Sequence, residues 1–378
     1  MIKWFKFNRG YQPLNLVEIK RQNLLFNYDF FKENTNLSIW PVLKANAYGH
    51  GIRQVTEILM RRNFEYFVVD GYHEVLEIRK ITSRPVLIMG AMLPQNFSKI
   101  NWKNLSIMVQ DETTIRKLGS LNKKIKIHLK VNTGMNRQGF NIDQVENIVR
   151  LIKQYPKLIL EGVFSHLSGA DEVDSKSLRS QLKEFEKATK IVELNGMKPK
   201  FYHLSATAGA LKIKNTKINA IRLGIGLYGI NNLSKGDEIF EKFERLKPVL
   251  SFKSCFTTLR KIKKGEKVGY NGTWQAKKDT NIGVVPVGYY EGLDIRLNNN
   301  GWVKYKNKFY PIVGRICMNL TMVDLGVTEA KLFDEVEVVS NDKTDKNSIA
   351  KMAKQCKTIP YELLVKINSS IRRVIVRW

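Results

Sequence analysis

Lys44 is the residue best suited to covalent chemistry, and it lies in the segment PVLKANAYGHG (residues 41–51). It ends an apolar, strand-like run and is followed by small residues that favour a sharp turn. A lysine near the mouth of an apolar strand is partly desolvated, which favours the neutral amine. Such an amine can form a Schiff base with a carbonyl compound, including pyridoxal 5'-phosphate (PLP). The alternative is a strand-terminal lysine that extends its ammonium group into solvent, as most lysines do.

A phosphate site is indicated by the same pattern of apolar runs. Thr207 offers a hydroxyl group after the seventh run, and Gly224 and Ile225 offer backbone N–H groups after the eighth. In eight-stranded α/β barrels the phosphate site is frequently formed by the loops after strands seven and eight. A reactive lysine and a phosphate site at one end of a barrel together favour PLP as the cofactor.

The elements that must position these residues alternate between strands and helices. Segments with helical periodicity, such as 73–79, 145–152 and 177–194, separate most of the apolar runs. This alternation predicts a (β/α)8 barrel with its chemistry at the carboxyl ends of the strands. The eight apolar runs of strand length are residues 38–43, 66–69, 85–89, 105–109, 125–131, 158–164, 200–204 and 220–225.

The pattern changes after about residue 245, where short β-like runs are separated by Gly, Asn, Asp and Lys turns. We therefore predict an α/β chain with a PLP-binding barrel over residues 11–242 and a β-rich domain over residues 243–378. Whether residues 1–10 pack with the second domain is left open. The β-like runs are residues 250–256, 281–285, 302–305 and 335–339.

Composition excludes several classes of protein. The 43% hydrophobic and 26% charged fractions are typical of a soluble globular chain. No stretch approaches the roughly 20 apolar residues that span a bilayer, and the basic N-terminus lacks the apolar core of a secretory signal. We therefore expect a cytoplasmic protein with no membrane partner. The three cysteines and five histidines show no paired spacing typical of metal ligands, so no metal site is expected.

The net charge of +28 has two interpretations. On its own, such a charge would suggest a nucleic acid or an anionic surface as the partner. The lysines are spread along the chain, which is also rich in Asn and Ile, and this favours a compositional bias with a solvated basic surface. No nucleic-acid-binding motif is present, so no nucleic-acid partner is expected.

Several motifs in one order resemble a known enzyme family over essentially the whole chain. They are KANAYGHG, KVNTGMNRQGF, RLGIGLYG, VGYNGTW, PVGYYEG, VGRICMNLTMVDLG and IPYELL. In order and approximate spacing they resemble the alanine racemases, which are PLP-dependent isomerases. Any single motif would be weak, but several in register are specific.

The resemblance implies a reaction and an assembly. It implies that L-alanine and D-alanine are interconverted by two bases, Lys44 and Tyr270, to supply D-alanine for cell-wall peptidoglycan. It further implies a homodimer with composite active sites, in which Tyr270 comes from the partner subunit. Two bases are needed because the α-proton must leave one face of a planar intermediate and return to the other. Both groups ordinarily have pKa values near 10, so each needs an environment that makes it a base near neutral pH. A polar neighbour such as His166 could provide this for Tyr270.

The resemblance also implies roles in binding. Arg222 would contact the pyridine nitrogen, and since arginine cannot release its proton at working pH, the ring would be a weaker electron sink. This would limit side reactions such as transamination. Arg137 would bind the phenolic oxygen of the cofactor and the carboxylate of the substrate, which the backbone N–H of Met318 would also meet. The phosphate would be held by Tyr48, Thr207, Gly224, Ile225 and Tyr361.

Several assignments remain open. His166 and His203 could be ordinary hydrogen-bonded core histidines, and Tyr48 and Tyr361 could be interface aromatics. Lys130 resembles the carbamylated lysine of many racemases but could be a plain surface lysine. Three departures from the family pattern, which put the substrate range in doubt, are Ala206, Ile295 and Asn319.

Alternative functions also remain. One is a racemase with a broader range that includes serine or lysine. A second is a non-catalytic PLP carrier, which the β-rich domain argues against because such carriers resemble the barrel alone.

Overall fold

The computed structural model describes residues 11–173, 176–213 and 216–377, and the contacts within it divide them into two compact units. The barrel unit comprises Leu25–Ala47 and Val55–Leu246, and the sheet unit comprises the described residues up to Leu24, Tyr48–Gln54 and those from Lys247 onward. The barrel domain was predicted to begin at residue 11, whereas residues 11–24 group with the sheet unit. The predicted boundary between residues 242 and 243 stays a prediction. The expectation for residues 1–10 lies outside the described residues.

After β1 (Leu16–Lys20), which belongs to the sheet unit, the chain forms eight parallel strands in one sheet. Their order is β2-β9-β8-β7-β6-β5-β4-β3, and a bridge between Val42 and Val68 closes the ring. The predicted (β/α)8 fold is confirmed. Most of the strands are shorter than the apolar runs that predicted them. Their bounds are β2 (Ser38–Pro41), β3 (Phe67–Val69), β4 (Val86–Ile88), β5 (Leu105–Val109), β6 (Ile125–Lys130), β7 (Leu158–Phe164), β8 (Phe201–His203) and β9 (Ala220–Leu223).

Helices follow most of these strands. In α6, Val145, Ile148, Val149 and Ile152 are buried at the spacing of one helix face. The bounds are α1 (Arg21–Glu33), α2 (Lys44–Tyr48), α3 (Ile52–Leu59), α4 (Tyr72–Arg79), α5 (Glu112–Ser120), α6 (Val145–Lys153), α7 (Lys176–Leu194) and α8 (Phe240–Phe243).

The interior of the barrel is filled with aromatic rings. Trp40 is fully buried, and its ring centroid lies 4.8 Å from those of both Phe201 and His203. Phe164 stacks on His203 at 4.7 Å. Because this core is packed, a ligand can reach the barrel only at its ends.

The sheet unit contains a nine-stranded sheet in which β1 runs parallel to the last strand and antiparallel to β10. The four predicted β runs are confirmed within it. The remaining strands and helices of the sheet unit are β10 (Leu250–Cys255), β11 (Thr258–Ile262), β12 (Lys267–Val268), β13 (Trp274–Gln275), β14 (Thr280–Val285), β15 (Trp302–Tyr305), β16 (Lys308–Val313), β17 (Thr321–Gly326), β18 (Glu335–Val339), α9 (Ile349–Gln355), α10 (Pro360–Lys366) and β19 (Arg372–Val376).

The hydropathy of the helices bears on membrane insertion. Across the described ranges, none of the helices has both the length and the apolar character needed to cross a membrane.

Candidate active site

Lys44 opens an unusual left-handed turn of the backbone. Ala45, Asn46, Ala47 and Tyr48 all have φ between +52° and +54°. For residues with a Cβ this conformation costs about 1–2 kcal/mol each, so the surroundings must impose it. Lys44 itself is half-buried, and its ammonium group makes no hydrogen bond or ion pair with any residue that the structure describes.

Glu74 is one group that holds this turn. It is buried, and its Oε1 accepts a hydrogen bond of 2.6 Å from the N–H of Ala45. Its Oε2 accepts from the N–H groups of Asp70 (2.8 Å) and Gly71 (3.3 Å). One carboxylate therefore ties the backbone after Lys44 to the start of α4.

Positive side chains gather around Lys130 in the barrel unit. Lys130 is buried, and its Nζ donates a 3.0 Å hydrogen bond to Oε1 of Gln138. Burial lowers the pKa of this ammonium to about 7, and nearby positive charges add to the shift. Those charges belong to Arg222, Arg137 and Lys44. The structure thus brings these predicted site residues together in a cationic group suited to an anionic ligand.

Arg222 is buried and nearly saturated with hydrogen bonds. Its Nη1 donates to Nδ1 (2.7 Å) and to the carbonyl oxygen (2.9 Å) of His203. Its Nη2 donates to the carbonyl oxygens of Ser165 (2.8 Å) and Leu204 (3.0 Å) and to Nδ1 of His166 (3.2 Å). Burial lowers its pKa to about 9, which still leaves it charged at neutral pH. Among the described residues Nε–H has no acceptor, so this donor remains for a ligand.

Both histidines that sequence alone left open contact Arg222. Burial lowers the pKa of His166 to about 3, and the charge of Arg222 adds to the shift, so His166 is neutral at physiological pH. Because arginine only donates, His166 accepts at Nδ1 and carries its proton on Nε2. His203 is a fully buried, hydrogen-bonded core histidine that also orients Arg222.

The loops after β8 and β9 meet at Thr207 and Gly226. The Thr207 hydroxyl accepts a 3.1 Å hydrogen bond from the N–H of Gly226. A Cβ on Gly226 would lie 2.6 Å from Cγ2 of Thr207, so only glycine fits there. The N–H groups of Gly224 and Ile225 donate to no acceptor in the described part of the chain. This combination of free N–H groups and a hydroxyl suits a phosphate.

Arg137 lies on a loop that Asn132 stabilises. The side-chain oxygen of Asn132 accepts from the N–H groups of Gly134 (3.2 Å) and Asn136 (3.0 Å). Gly139 has φ +105°, and a Cβ there would lie 2.9 Å from the backbone of Lys130. Arg137 is exposed, and the described residues include no ion-pair partner for it. Its guanidinium is therefore available to a carboxylate.

Tyr48 and Tyr361 are neighbours in the sheet unit, with ring centroids 6.1 Å apart. Burial raises the pKa of Tyr48 far above its ordinary value, and Tyr361 adds to the rise, so the Tyr48 ring keeps its phenolic proton as a donor at neutral pH. A Cβ at Gly49 would lie 2.0 Å from the carbonyl oxygen of Leu364, which explains the glycine after Tyr48. Arg373 donates from Nε to the carbonyl oxygen of Gly49 at 3.0 Å and fixes the same turn.

Tyr270 and Met318 are exposed on the sheet unit, with 68% and 57% of their surface accessible. Tyr270 follows Gly269, whose φ of +74° suits glycine and whose neighbours include Arg315, close to Met318 in sequence. The turn at Met318 is closed by a 2.9 Å hydrogen bond from the Cys317 N–H to Leu320. Within the described ranges the N–H of Met318 has no acceptor.

The predicted site residues thus fall into two groups, one on each unit. One departure from the family pattern has a clear partner, since Asn319 donates to Glu291 at 2.8 Å. Glu74, His128 and Glu161 were not predicted from the sequence, although the last two stand out as polar residues within the apolar strands IKIHLK and LILEGVF. The barrel unit holds Lys44, Arg137, His166, Thr207, Arg222, Gly224 and Ile225, and the sheet unit holds Tyr48, Tyr270, Met318 and Tyr361.

Known proteins resemble this chain over nearly its whole length. Residues 19–232 match the family model for the alanine racemase N-terminal domain, and residues 249–375 match that for the C-terminal domain. The chain is 34% identical to an alanine racemase of Lactobacillus acidophilus, over 88% of this chain and 89% of that protein. It is 32% identical to one of Francisella philomiragia, over 96% of this chain and 100% of the relative.

Solved structures agree with these relatives. The alanine racemase of Clostridium difficile 630 has a TM-score of 0.90 at 28% identity, and 97% of each chain is covered. That of Bacillus anthracis with bound L-Ala-P has a TM-score of 0.89 at 27% identity, over 97% of this chain and 96% of that one. The protein described above therefore belongs to the alanine racemase family.

Proposed function

We propose that this protein is a PLP-dependent alanine racemase that works in the cytoplasm and supplies D-alanine for peptidoglycan. One observation carries the proposal: Lys44, which has no acidic partner among the described residues, lies in one cationic group with Arg222, which has one free N–H. Membership of the family supports the same activity.

The residues of the site fit PLP. When bound, PLP supplies a carbonyl group for the amine of the substrate and an electron-withdrawing ring that acidifies the α-C–H bond. Arg222 would donate from Nε to the pyridine nitrogen, and Lys44 would hold the carbonyl carbon covalently. The phosphate would be bound by the N–H groups of Gly224 and Ile225 and by the hydroxyl groups of Thr207, Tyr48 and Tyr361.

Two bases flank the substrate in this proposal. Lys44 exchanges the α-proton at Nζ on one face, and Tyr270 exchanges it at Oη on the other. Arg137 and the N–H of Met318 hold the substrate carboxylate, which keeps the α-carbon between the two bases. Arg222 limits transamination because it does not transfer its proton to the pyridine nitrogen.

The second base is proposed to come from a second copy of the chain. Large apolar side chains are exposed on the sheet unit around Tyr270 and Met318, and they include Tyr290 (55%) and Leu320 (44%). Exposed apolar residues of this kind mark interaction surfaces. We propose that this surface forms a homodimer in which each site combines Lys44 of one copy with Tyr270 of the other.

The test is an assay for enantiomers. Purified protein is incubated with PLP and each L-amino acid in turn, and the D-isomer is measured by chiral chromatography. We expect D-alanine from L-alanine, and no product from Lys44→Ala. Lys103→Ala is the control, because Lys103 is exposed and precedes the amino end of β5, at the other end of the barrel. Failure to form D-alanine would contradict the proposal, and comparable rates with serine or lysine would favour the broader racemase.

A further inference from the structure

A row of buried polar side chains extends from Arg222 into the interior of the barrel. Nδ1 of His203 accepts from Nη1 of Arg222 at 2.7 Å, and Nε2 of His203 lies 2.9 Å from Nδ1 of His128. Nε2 of His128 faces Oε2 of Glu161 at 3.5 Å without a hydrogen bond, and it makes none with any other described residue. Both histidines are fully buried. We call these four residues the core relay.

The partners in the core relay determine where its protons lie. Arginine can only donate, so Nδ1 of His203 must accept and the proton of its neutral ring must lie on Nε2. That N–H donates to Nδ1 of His128, whose own proton must then lie on Nε2. The Nε2–H of His128 is left to face Glu161. All three contacts are therefore oriented from the guanidinium toward the carboxylate.

The carboxylate of Glu161 accepts several hydrogen bonds. Its Oε1 accepts from the ammonium of Lys126 at 2.6 Å, and its Oε2 accepts from the hydroxyl groups of Tyr66 and, at 3.1 Å, Ser106. Burial alone would raise the pKa of Glu161, but the nearby His128 and hydrogen bonds from Lys126 and Tyr66 outweigh it and lower the pKa to about 2. The carboxylate is therefore charged at physiological pH and offers the N–H of His128 only an acceptor.

Hydrogen bonds that run in the opposite direction, from His128 toward Arg222, are excluded by the N–H groups of His203 and Arg222. If His128 carried its proton on Nδ1, that N–H would face the N–H of His203. If His203 then changed its tautomer, its Nδ1–H would face the N–H of Arg222. Two donors facing each other in a dry core leave both unsatisfied, which is unfavourable. A charged histidine is disfavoured as well, because burial lowers the pKa of both His128 and His203.

We propose that Glu161 is a positioning residue for Arg222 and acts through His128 and His203. Arg222 requires this direction, and the carboxylate that faces the Nε2–H of His128 favours the same tautomers, which keeps an acceptor on Nη1 of Arg222 and leaves Nε–H directed to the ligand. The inference rests on the proposed function only for the identity of that ligand, because the direction of the core relay is a property of the protein itself.

Two substitutions at Glu161 distinguish the loss of its hydrogen-bond acceptors from a change in the shape of its side chain. Glu161→Leu removes both acceptor oxygens. Glu161→Gln keeps one oxygen that can face His128 while the amide nitrogen turns toward the half-exposed Lys126. The matched control is Glu193→Gln, because Glu193 also accepts from a tyrosine hydroxyl (Tyr202, 2.8 Å) and a lysine but contacts no histidine in the described part of the chain.

The first readout is side-chain nitrogen NMR of the PLP-loaded protein labelled with ¹⁵N-histidine and ¹⁵N-arginine, with His203→Phe and His128→Phe used for assignment. We expect both core histidines as neutral Nε2–H tautomers between pH 6 and pH 9. Glu161→Leu should give mixed tautomers at His128 and faster exchange of the Arg222 N–H groups. Glu161→Gln and Glu193→Gln should keep the wild-type tautomers.

The second readout is kinetic. Glu161→Leu should lower kcat for alanine by about 10- to 100-fold, the range seen when the outer-shell partner of a metal-bound histidine is lost. KM should change far less, since no residue of the core relay except Arg222 meets the ligand. Glu161→Gln should keep most of the kcat.

Three results would overturn the inference. They are a wild-type His203 with its proton on Nδ1, a Glu161→Leu variant with wild-type tautomers, and a Glu161→Leu variant with wild-type kcat. If Glu161→Leu does not fold, Glu161→Met, which also removes both acceptor oxygens, replaces it in both readouts. An inactive wild type with the expected tautomers would refute the proposed function and leave the core relay intact.

Discussion

Lys44 is one of the cationic side chains whose charges act on Lys130, and the partners of these two lysines determine which of them a carbonyl group would modify. Lys130, the other lysine of this group, already donates to Gln138 and faces the ring of Phe164 at 5.2 Å. Lys44 has no such partner among the described residues. We predict that the purified protein is yellow, that borohydride bleaches the colour, and that peptide mapping finds the reduced adduct on Lys44. An adduct on Lys130 would contradict the assignment.

Tyr270 should act on one enantiomer far more than on the other. Tyr270→Phe keeps the ring but removes the oxygen that exchanges the proton, and loss of a general base typically costs about 10²- to 10⁴-fold. We expect that loss in proton abstraction from L-alanine and a much smaller one from D-alanine, measured by single-turnover deuterium incorporation. Tyr310→Phe, which removes a buried hydroxyl from β16 in the same unit, is the control. Equal losses for both enantiomers would refute the two-base assignment.

Lys130 should react with carbon dioxide. Its pKa of about 7 means that the amine is mostly protonated below pH 7 and neutral above it. Only the neutral amine adds to CO₂, and the carbamate anion that forms, with release of a proton, would be stabilised by Arg222, Arg137 and Lys44. We predict that ¹³C-bicarbonate gives a carbamate NMR signal that grows from pH 6 to pH 8 and is absent in Lys130→Ala. Lys126→Ala, on the same strand, should keep it. No signal at pH 8 would leave Lys130 as an ordinary amine.

At the scale of elements, the left-handed turn after Lys44 depends on one carboxylate of α4. Glu74→Gln would place an amide N–H₂ against a backbone N–H, because both carboxylate oxygens now accept. An unsatisfied buried donor costs about 1–3 kcal/mol, so we expect the free energy of unfolding in urea to fall by that amount and racemisation to slow. Glu112→Gln should change stability by less, since it removes an exposed ion pair with Arg116 within α5. Equal effects of both substitutions would show that the turn does not need Glu74.

The strands and helices could be predicted from the sequence better than the contacts between residues that lie far apart in the chain. The eight barrel strands were found because short buried parallel strands are almost continuously apolar. A sharp turn after Lys44 was predicted, but not its left-handed backbone, because that depends on Glu74, which lies 29 positions from its partner Ala45. Strand β1 was missed for a similar reason, since it pairs with β10 and β19, far along the chain. The core relay was missed because a histidine in an apolar strand gives no local sign of its partner.

At the scale of the whole molecule, the two proposed bases lie on different units. Lys44 belongs to the barrel unit, and Tyr270 is 68% exposed on the sheet unit. A base with so much accessible surface can serve a site on another copy of the chain. Activity should then depend on assembly, because a single copy would not supply both bases to one site.

Mixed inactive chains provide the test of that dependence. We predict that Lys44→Ala chains and Tyr270→Phe chains, each inactive alone, regain activity when mixed and allowed to exchange subunits. Random exchange of equal amounts makes about half of the dimers mixed, and each mixed dimer has one site with both bases and one with neither. Recovery should therefore approach about a quarter of the wild-type rate. Exchange is verified with two affinity tags, and if mixed dimers form without any activity, both bases must come from the same chain.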